Sequence, residues 1–275
     1  MIAGSPRLSA LLVGLVVASS AATSSLAQTP AADPSRLCVD KVGFARLGHA
    51  LTHVAQRIAN GKPLTIVALG SSSTAGAGAS SPSASYPSRL ESELKARFPE
   101  QPVAVINQGV NGEEAADMLA RFEESVARPH PDLVLWQVGT NAVLRDNPLG
   151  PVDRLVHDGI ARIKALGADV VLIDPQFAPK VIAKADAEDM VHLISAEAKQ
   201  ANVDVFPRFA IMRGWRERDG VPFEAFLSPD LLHMNDWSYG CLAKLLAASI
   251  SEAATRPFAS ARAVGAHPAA APRGH

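Results

Sequence analysis

The chain has 275 residues, 48% of them hydrophobic and 19% charged, and a formal net charge of −1. This length is enough for one sizeable α/β domain or two small ones. The near-neutral charge excludes an electrostatic basis for binding nucleic acid or an anionic membrane surface, and the sequence predicts neither partner.

The N-terminal residues 1–27 have the pattern of a secretion signal. Arg7 precedes a short apolar stretch over 8–18, and small residues ending in Ser25-Leu26-Ala27 follow it. A membrane anchor is the alternative, but a spanning helix needs roughly 20 apolar residues. We therefore expect an exported protein, periplasmic or secreted, with cleavage near Gln28, no membrane attachment afterwards, and a linker over 28–36.

The rest of the chain alternates between helical and strand-like patterns. Apolar residues at helical spacing predict a first helix between 35 and 60. The predicted strands are 64–69, 103–106, 133–138, 170–173 and 203–206, and the later helices are 86–98, 113–127, 151–166, 185–201 and 237–253. Short strands that are apolar on both faces suit a parallel sheet covered by helices on each side. With right-handed crossovers this predicts a three-layer α/β/α sandwich around a central, mainly parallel five-stranded sheet.

The ends of this predicted domain, 37–255, are marked by two features. The tail 256–275 is rich in Ala, Pro, Gly and Arg and is expected to be disordered. Cys38 and Cys241 lie near the two ends of the domain. In an exported protein such a pair suggests one disulfide, and two buried free thiols are the alternative. The cysteine spacing does not suggest a metal site, and we expect neither a metal nor another cofactor.

Polar residues follow the predicted strands, at the edge where open parallel sheets place their sites. Together they supply the nucleophile, base, orienting acid and oxyanion donors of acyl transfer. These residues are Ser71, Ser72 and Ser73 after the first strand, Gly109 and Gly112 after the second, Asn141 after the third, and Asp230 and His233 before the last helix. Residues 174–177, after the fourth strand, either line a pocket or merely end the strand.

Three other interpretations of the serine-rich turn fit less well. A phosphate-binding loop needs a lysine, and none occurs within 63–94. In a dinucleotide fingerprint the glycines come earlier than 76–78. In the α/β-hydrolase elbow, glycine stands where this chain has Thr74. Because a serine after a strand commonly caps the next helix, Ser72 gains meaning only together with the other residues.

Four segments in order, covering about 64–245, resemble the SGNH (GDSL-type) hydrolase family of serine esterases and lipases. Residues 70–74 are similar to its first block, which makes Ser72 the nucleophile, and 230–233 match its D-x-x-H block. The resemblance implies that His233 is the base and Asp230 its orienting acid, on a flavodoxin-like sheet. Helix capping or metal binding is the alternative for this last block.

The second and third blocks of the family supply oxyanion donors. Residues 107–112 resemble the second block, with Gly112 as the donor and Gly109 as the less favoured choice, and 139–141 resemble the third, with Asn141 as the side-chain donor. A helix-terminal turn and a loop turn are the structural alternatives for these two segments. The backbone N–H of Ser72 is the third expected donor.

The chain departs from the family at two positions, where Ser71 and Ala142 replace the usual aspartates. Neither position holds a proposed catalytic group. We predict an exported serine esterase that forms an acyl-enzyme, with short-chain or acetyl esters of small molecules or carbohydrates as substrates. An acyltransferase and a non-catalytic carbohydrate-binding protein are the alternatives. The small residues after Ser72 are interpreted as room for the acyl group, and the oligomeric state stays open.

Overall fold

The computed structural model describes residues 1–2, 38 and 43–256. The described residues from Cys38 onward lie in one compact unit. The predicted signal peptide, linker and C-terminal tail lie outside the described residues, apart from Met1, Ile2 and Arg256. Within the described part of the chain, no helix is long and apolar enough to cross a membrane.

Five parallel strands form the central sheet, which confirms the predicted fold class. The three inner strands of the sheet are apolar runs buried at nearly every residue, as expected between two helical layers, whereas the two edge strands are partly exposed. Their order is β2-β1-β3-β4-β5, and every neighbouring pair is parallel. Their bounds are β1 Leu64–Gly70, β2 Val103–Gly109, β3 Leu133–Gln137, β4 Asp169–Ile173 and β5 Asp204–Phe206.

Helices cover both faces of the sheet. α3 packs against α11 and α11 against α1, whereas α6 packs against α8 and α4. The helices are α1 Thr52–Ala59, α2 Ser72–Ala75, α3 Tyr86–Arg97, α4 Ala115–Ala120, α5 Thr140–Leu144, α6 Leu149–Ala165, α7 Pro179–Ile182, α8 Ala187–Ala201, α9 Arg208–Arg213, α10 Phe223–Phe226 and α11 Asp236–Thr255. A 3₁₀ turn at Pro82–Ala84 and π turns at Glu123–Ala127 and Gly214–Arg218 complete them.

The prediction for the first helix was too long. Of the predicted span 35–60, the described part contains only α1, and 43–51 form turns and bends. The backbone N–H groups of Gly48 and His49 donate to the Asp204 carboxylate at 2.8 and 2.9 Å. A carboxylate from β5 thus takes the hydrogen bonds that a continuous helix would have made. The predicted helix 113–127 likewise divides into α4 and a π turn.

Two tight features hold the layers together. Trp136 of β3 is fully buried, and Gly159 of α6 lies so close that a Cβ at this glycine would overlap the indole ring. Cys38 and Cys241 form a disulfide. Cys241 is buried in α11, so the bond fastens the beginning of the described fold to its last helix.

Candidate active site

The candidate site lies at the carboxyl edge of the sheet, between β1 and β3. After β1 the chain crosses to β2 on one side, whereas after β3 it crosses to β4 on the other side. These two connections leave a crevice between the carboxyl ends of β1 and β3. Ser72 is the first residue of α2, directly after β1, and Asn141 lies in α5, directly after β3. The topology therefore brings together two residues that are far apart in the sequence.

Ser72, His233 and Asp230 form one row of hydrogen bonds. The Ser72 Oγ lies 2.7 Å from His233 Nε2, and His233 Nδ1 lies 2.5 Å from Asp230 Oδ2. The His233 side chain is 15% exposed, so the ring is largely fixed between its two partners while its edge stays accessible. The structure thus brings the three predicted side chains together in the predicted order.

The electrostatics of Asp230 determine which ring nitrogen of His233 carries the proton. Partial burial raises the pKa of Asp230, but the hydrogen bonds from His233, Ser228 and the backbone outweigh it and hold this pKa well below its ordinary value. An ionised carboxylate can only accept, so His233 Nδ1 must carry the proton that it donates. In neutral imidazole this leaves Nε2 free to accept a proton from Ser72.

Asp230 is held by a tight turn rather than by helix capping. Its Oδ1 accepts from Ser228 Oγ at 2.7 Å and from the backbone N–H groups of Leu232 and His233 at 3.0 and 2.9 Å. The cap of α11 is Asn235, whose side chain accepts from the N–H of Ser238. The helix-cap alternative for Asp230 therefore does not hold. Among the described residues, no group of three or more His, Cys, Asp or Glu side chains could hold a metal.

The loop after β2, which carries Gly112, is clamped by two side chains that follow β3. Asn141 Nδ2 donates to the Glu113 carbonyl at 2.8 Å, and Arg145 Nη2 donates to the Gly112 carbonyl at 2.8 Å. An amide nitrogen has two hydrogens, so Asn141 keeps one for a ligand. Gly112 has φ +79°, a conformation that favours glycine.

Gly109, the less favoured donor, has another role. Its N–H donates to Asn107 Oδ1 at 2.9 Å. A Cβ at this position would overlap the backbone of Ala75 at the end of α2. Gly109 therefore allows β2 and α2 to pack closely, and its N–H is already used.

The small residues after Ser72 also serve packing. A Cβ at Gly78 would overlap the Met234 carbonyl and lie 2.9 Å from the Cβ of His233. The structure therefore gives this glycine a different role from the predicted space for an acyl group. Its small size lets the turn that carries His233 approach the segment that follows α2.

Sequence reasoning missed two residues that hold α2 in place. Gln137 ends β3 and accepts from the Ser71 N–H at 2.9 Å, and Tyr239 of α11 donates to the Ala77 carbonyl at 2.7 Å. Both are buried. The one available signal for Gln137 was a polar residue that closes an otherwise apolar strand.

Residues 174–177, which follow β4, include Asp174 of a buried cluster of ionisable side chains. Burial raises the pKa of Asp174 to about 7, although hydrogen bonds from the backbone of Phe209 and the charge of Arg208 oppose the shift. Arg208 is fully buried, and its Nε donates to the Asp174 carbonyl at 2.9 Å. Asp174 therefore ends the strand inside the core, and Phe177 lines a nearby cavity of about 440 Å³ together with Ile182 and Phe209.

Residues 38–256 match the model of a family described as the Non-GDSL lipase-like family. The chain is 34% identical over 95 residues to an arylesterase of Vibrio mimicus, an alignment that covers 34% of this chain and 46% of the relative. It is 39% identical over 56 residues to an acetylxylan esterase of Geobacillus stearothermophilus, covering 20% of this chain and 26% of that protein. The chain thus aligns with less than half the length of either curated relative.

A solved structure has the same fold. It is a two-domain esterase active on acetylated mannans, with a TM-score of 0.66 and 20% identity, over 82% of this chain and 60% of that one. At this identity the likeness shows the architecture alone.

Proposed function

Because the chain belongs to the Non-GDSL lipase-like family, we propose that it is a serine esterase with an SGNH-type site, exported from the cell. It hydrolyses carboxylic esters through an acyl-enzyme. The observation that carries the proposal is the row of hydrogen bonds from Ser72 through His233 to Asp230, at 2.7 and 2.5 Å. A serine hydroxyl is unreactive without an adjacent base, and this row supplies one.

In the first step Ser72 Oγ attacks the ester carbonyl carbon while its proton moves to His233 Nε2. The imidazolium that forms is stabilised by the ionised Asp230. His233 then gives the proton to the leaving alcohol as the carbon–oxygen bond breaks. A water molecule then gives a proton to the same nitrogen and attacks the acyl carbon. As the bond between this carbon and Ser72 Oγ breaks, His233 returns the proton to Oγ and the acid is released.

The negative charge that develops on the carbonyl oxygen needs donors. We assign this role to the N–H of Ser72, the N–H of Gly112 and the free amide hydrogen of Asn141. Ser72 starts α2, and the first N–H groups of a helix have no partner within the helix. Each such donor contributes about 3 kcal/mol to transition-state stabilisation.

We propose acetyl or other short-chain esters on carbohydrates as the substrate class. Asn111 and Gly112 are exposed, and Val110 beside them is 44% exposed, so the edge of the site is accessible to a bulky alcohol group. The acetylxylan esterase, to which part of this chain is similar, supports the same class.

The test uses a fluorophosphonate probe and p-nitrophenyl esters of two to twelve acyl carbons, with Ser72→Ala and the neighbouring Ser73→Ala as matched variants. We expect one adduct on the wild-type protein, located on Ser72 by mass spectrometry, and fastest turnover of the acetyl ester. Ser72→Ala should lose both signals, and Ser73→Ala should keep labelling at Ser72. A correctly folded wild-type protein that neither labels nor hydrolyses any ester would refute the proposal.

Acetylated xylan and acetylated mannan then test the substrate class. Release of free acetate from either polymer supports hydrolysis of carbohydrate esters. Acyl groups recovered on an added sugar acceptor, without free acid, would instead identify an acyltransferase that uses the same Ser72 acyl-enzyme.

A further inference from the structure

Gln137 presents a single oxygen to three donors from the turn that carries Ser72. Its Oε1 lies 2.9 Å from the Ser71 N, 3.0 Å from the Ser71 Oγ and 3.3 Å from the Thr74 Oγ1. The side chain is 1% exposed. Because the Ser71 N–H can only donate, the amide atom that faces it must be the oxygen, which fixes the orientation of the amide group.

Ser71 and Thr74, which donate to Gln137, lie on either side of Ser72 in the sequence. Ser71 is the N-cap of α2 but makes no side-chain cap bond of its own, and Thr74 lies in the same helical turn. A Cβ at Gly70 would overlap Thr74 and lie 2.9 Å from Gln137 Oε1. The turn before Ser72 is therefore built around this one amide oxygen.

The hydrogen bonds continue from Thr74 to Tyr86, and each hydroxyl has an acceptor for its proton. Thr74 donates to Gln137 and its oxygen lies 3.4 Å from the Tyr86 hydroxyl. Burial raises the pKa of Tyr86 to about 12, so its hydroxyl keeps the proton that it can donate to Thr74. Tyr86 can thus donate to Thr74, and Thr74 donates to Gln137.

We propose that Gln137 is a positioning residue that fixes the Ser72 nucleophile, and that Ser71 is the partner matched to it. The inference rests on the proposed function, in which Ser72 attacks the ester. Ser71 stands where the resembling family usually has aspartate. A serine hydroxyl donates to the Gln137 oxygen, whereas a carboxylate has no proton to donate. An aspartate at this position would favour rotation of the Gln137 amide toward the carboxylate, which would leave the backbone N–H of residue 71 facing an NH₂ group.

The first test compares Gln137→Met, Gln137→Glu and the control Gln101→Met by their rates of fluorophosphonate labelling and by kcat and KM on p-nitrophenyl acetate. Gln101 is also buried, but its amide donates to the Lys62 carbonyl at the opposite edge of the sheet. Misplacing a reacting group by about 1 Å costs up to roughly 100-fold in rate. We therefore expect Gln137→Met to lower kcat and the labelling rate together, roughly 10- to 100-fold, with little change in KM.

Gln137→Glu keeps an acceptor oxygen and should restore most of the labelling rate, whereas Gln101→Met should change only the melting temperature. Equal rates in wild type and Gln137→Met, an equal loss in Gln101→Met, or no rescue by glutamate would each overturn the positioning role. If wild type itself gives no adduct on Ser72, the proposed function fails and this inference fails with it. An adduct on wild type with an unchanged rate in Gln137→Met removes the inference alone.

Ser71→Asp provides a second test, also if Gln137→Met does not fold. This variant has the aspartate that the resembling family usually has at this position. If Ser71 were not matched to Gln137, the variant should be labelled as fast as wild type. The pairing with Gln137 predicts a fall in labelling rate of roughly tenfold or more, because misplacing Ser72 acts on the reacting group itself. A labelling rate equal to that of wild type would overturn the pairing.

Discussion

Replacing Asn141 with alanine removes one proposed oxyanion donor and leaves the other two. In acyl transfer such a donor contributes about 3 to 4 kcal/mol, which corresponds to a fall in kcat of about 100- to 1,000-fold. KM should change little, since the charge on the oxygen develops only in the transition state. The variant also loses the bond from Asn141 to the Glu113 carbonyl, which costs about 1 kcal/mol of stability.

The matched control for this prediction is Asn147→Ala. Its side-chain amide donates to the Glu114 carboxylate, so it holds the same loop without being a proposed donor to the substrate. Initial rates with p-nitrophenyl acetate give kcat and KM, and thermal melts give the change in stability. Both variants should melt a few degrees lower than wild type, since about 1 kcal/mol corresponds to roughly 2–4 °C at this size.

Two results would refute the reasoning. A kcat of Asn141→Ala within about threefold of wild type would mean that the side chain donates nothing to the transition state. An equal loss of kcat in Asn147→Ala would mean that the rate depends on the loop as a whole. Asn141→Asp should be at least as slow as the alanine variant, because a carboxylate repels the oxyanion.

Three further predictions concern stability. Asp174 has a folded-state pKa of about 7 against an ordinary 3.8, so the folded chain keeps a proton that the unfolded chain has lost between these values. The melting temperature of wild type minus that of Asp174→Asn should therefore fall as the pH rises from 4 to 8. A difference that does not change with pH would mean that the buried carboxyl is not held neutral. Gly159→Ala should cost about 1–3 kcal/mol by overlap with the indole, whereas Gly150→Ala, open within 4 Å in the same helix, should not destabilise. Reducing the Cys38–Cys241 disulfide, whose cysteines are 203 residues apart, should lower the free energy of unfolding in denaturant titrations by about 5 kcal/mol. A double serine variant of these cysteines should be insensitive to the reductant.

The strands were predictable because each is a short apolar run, and the observed sheet contains all five. The first helix was predicted too long because its apolar spacing continues through 43–51, whereas the backbone there is held by Asp204. That carboxylate is more than 150 residues away in the sequence. The spacing of apolar residues cannot reveal an acceptor that lies so far away in the sequence.

The candidate site shows the same division between local and distant information. Asp230 and His233 are three residues apart, so one short motif predicted both. Gln137 and its partner Ser71 are 66 residues apart, and neither is unusual by itself. The supporting residues of a site become visible only when the strand order is known.

The disulfide has a consequence for the order in which the protein matures. The stretch from Asp230 to Cys241 contains the proposed acid, the proposed base and the second cysteine, whereas Ser72 and the first cysteine come at least 158 residues earlier. A chain still being synthesised contains the serine long before it contains the histidine. The proposed nucleophile therefore lacks its proposed base, and Cys38 lacks its partner, until the last helix has been synthesised. Completion of the covalent cross-link and assembly of the proposed catalytic row both depend on the docking of this final segment.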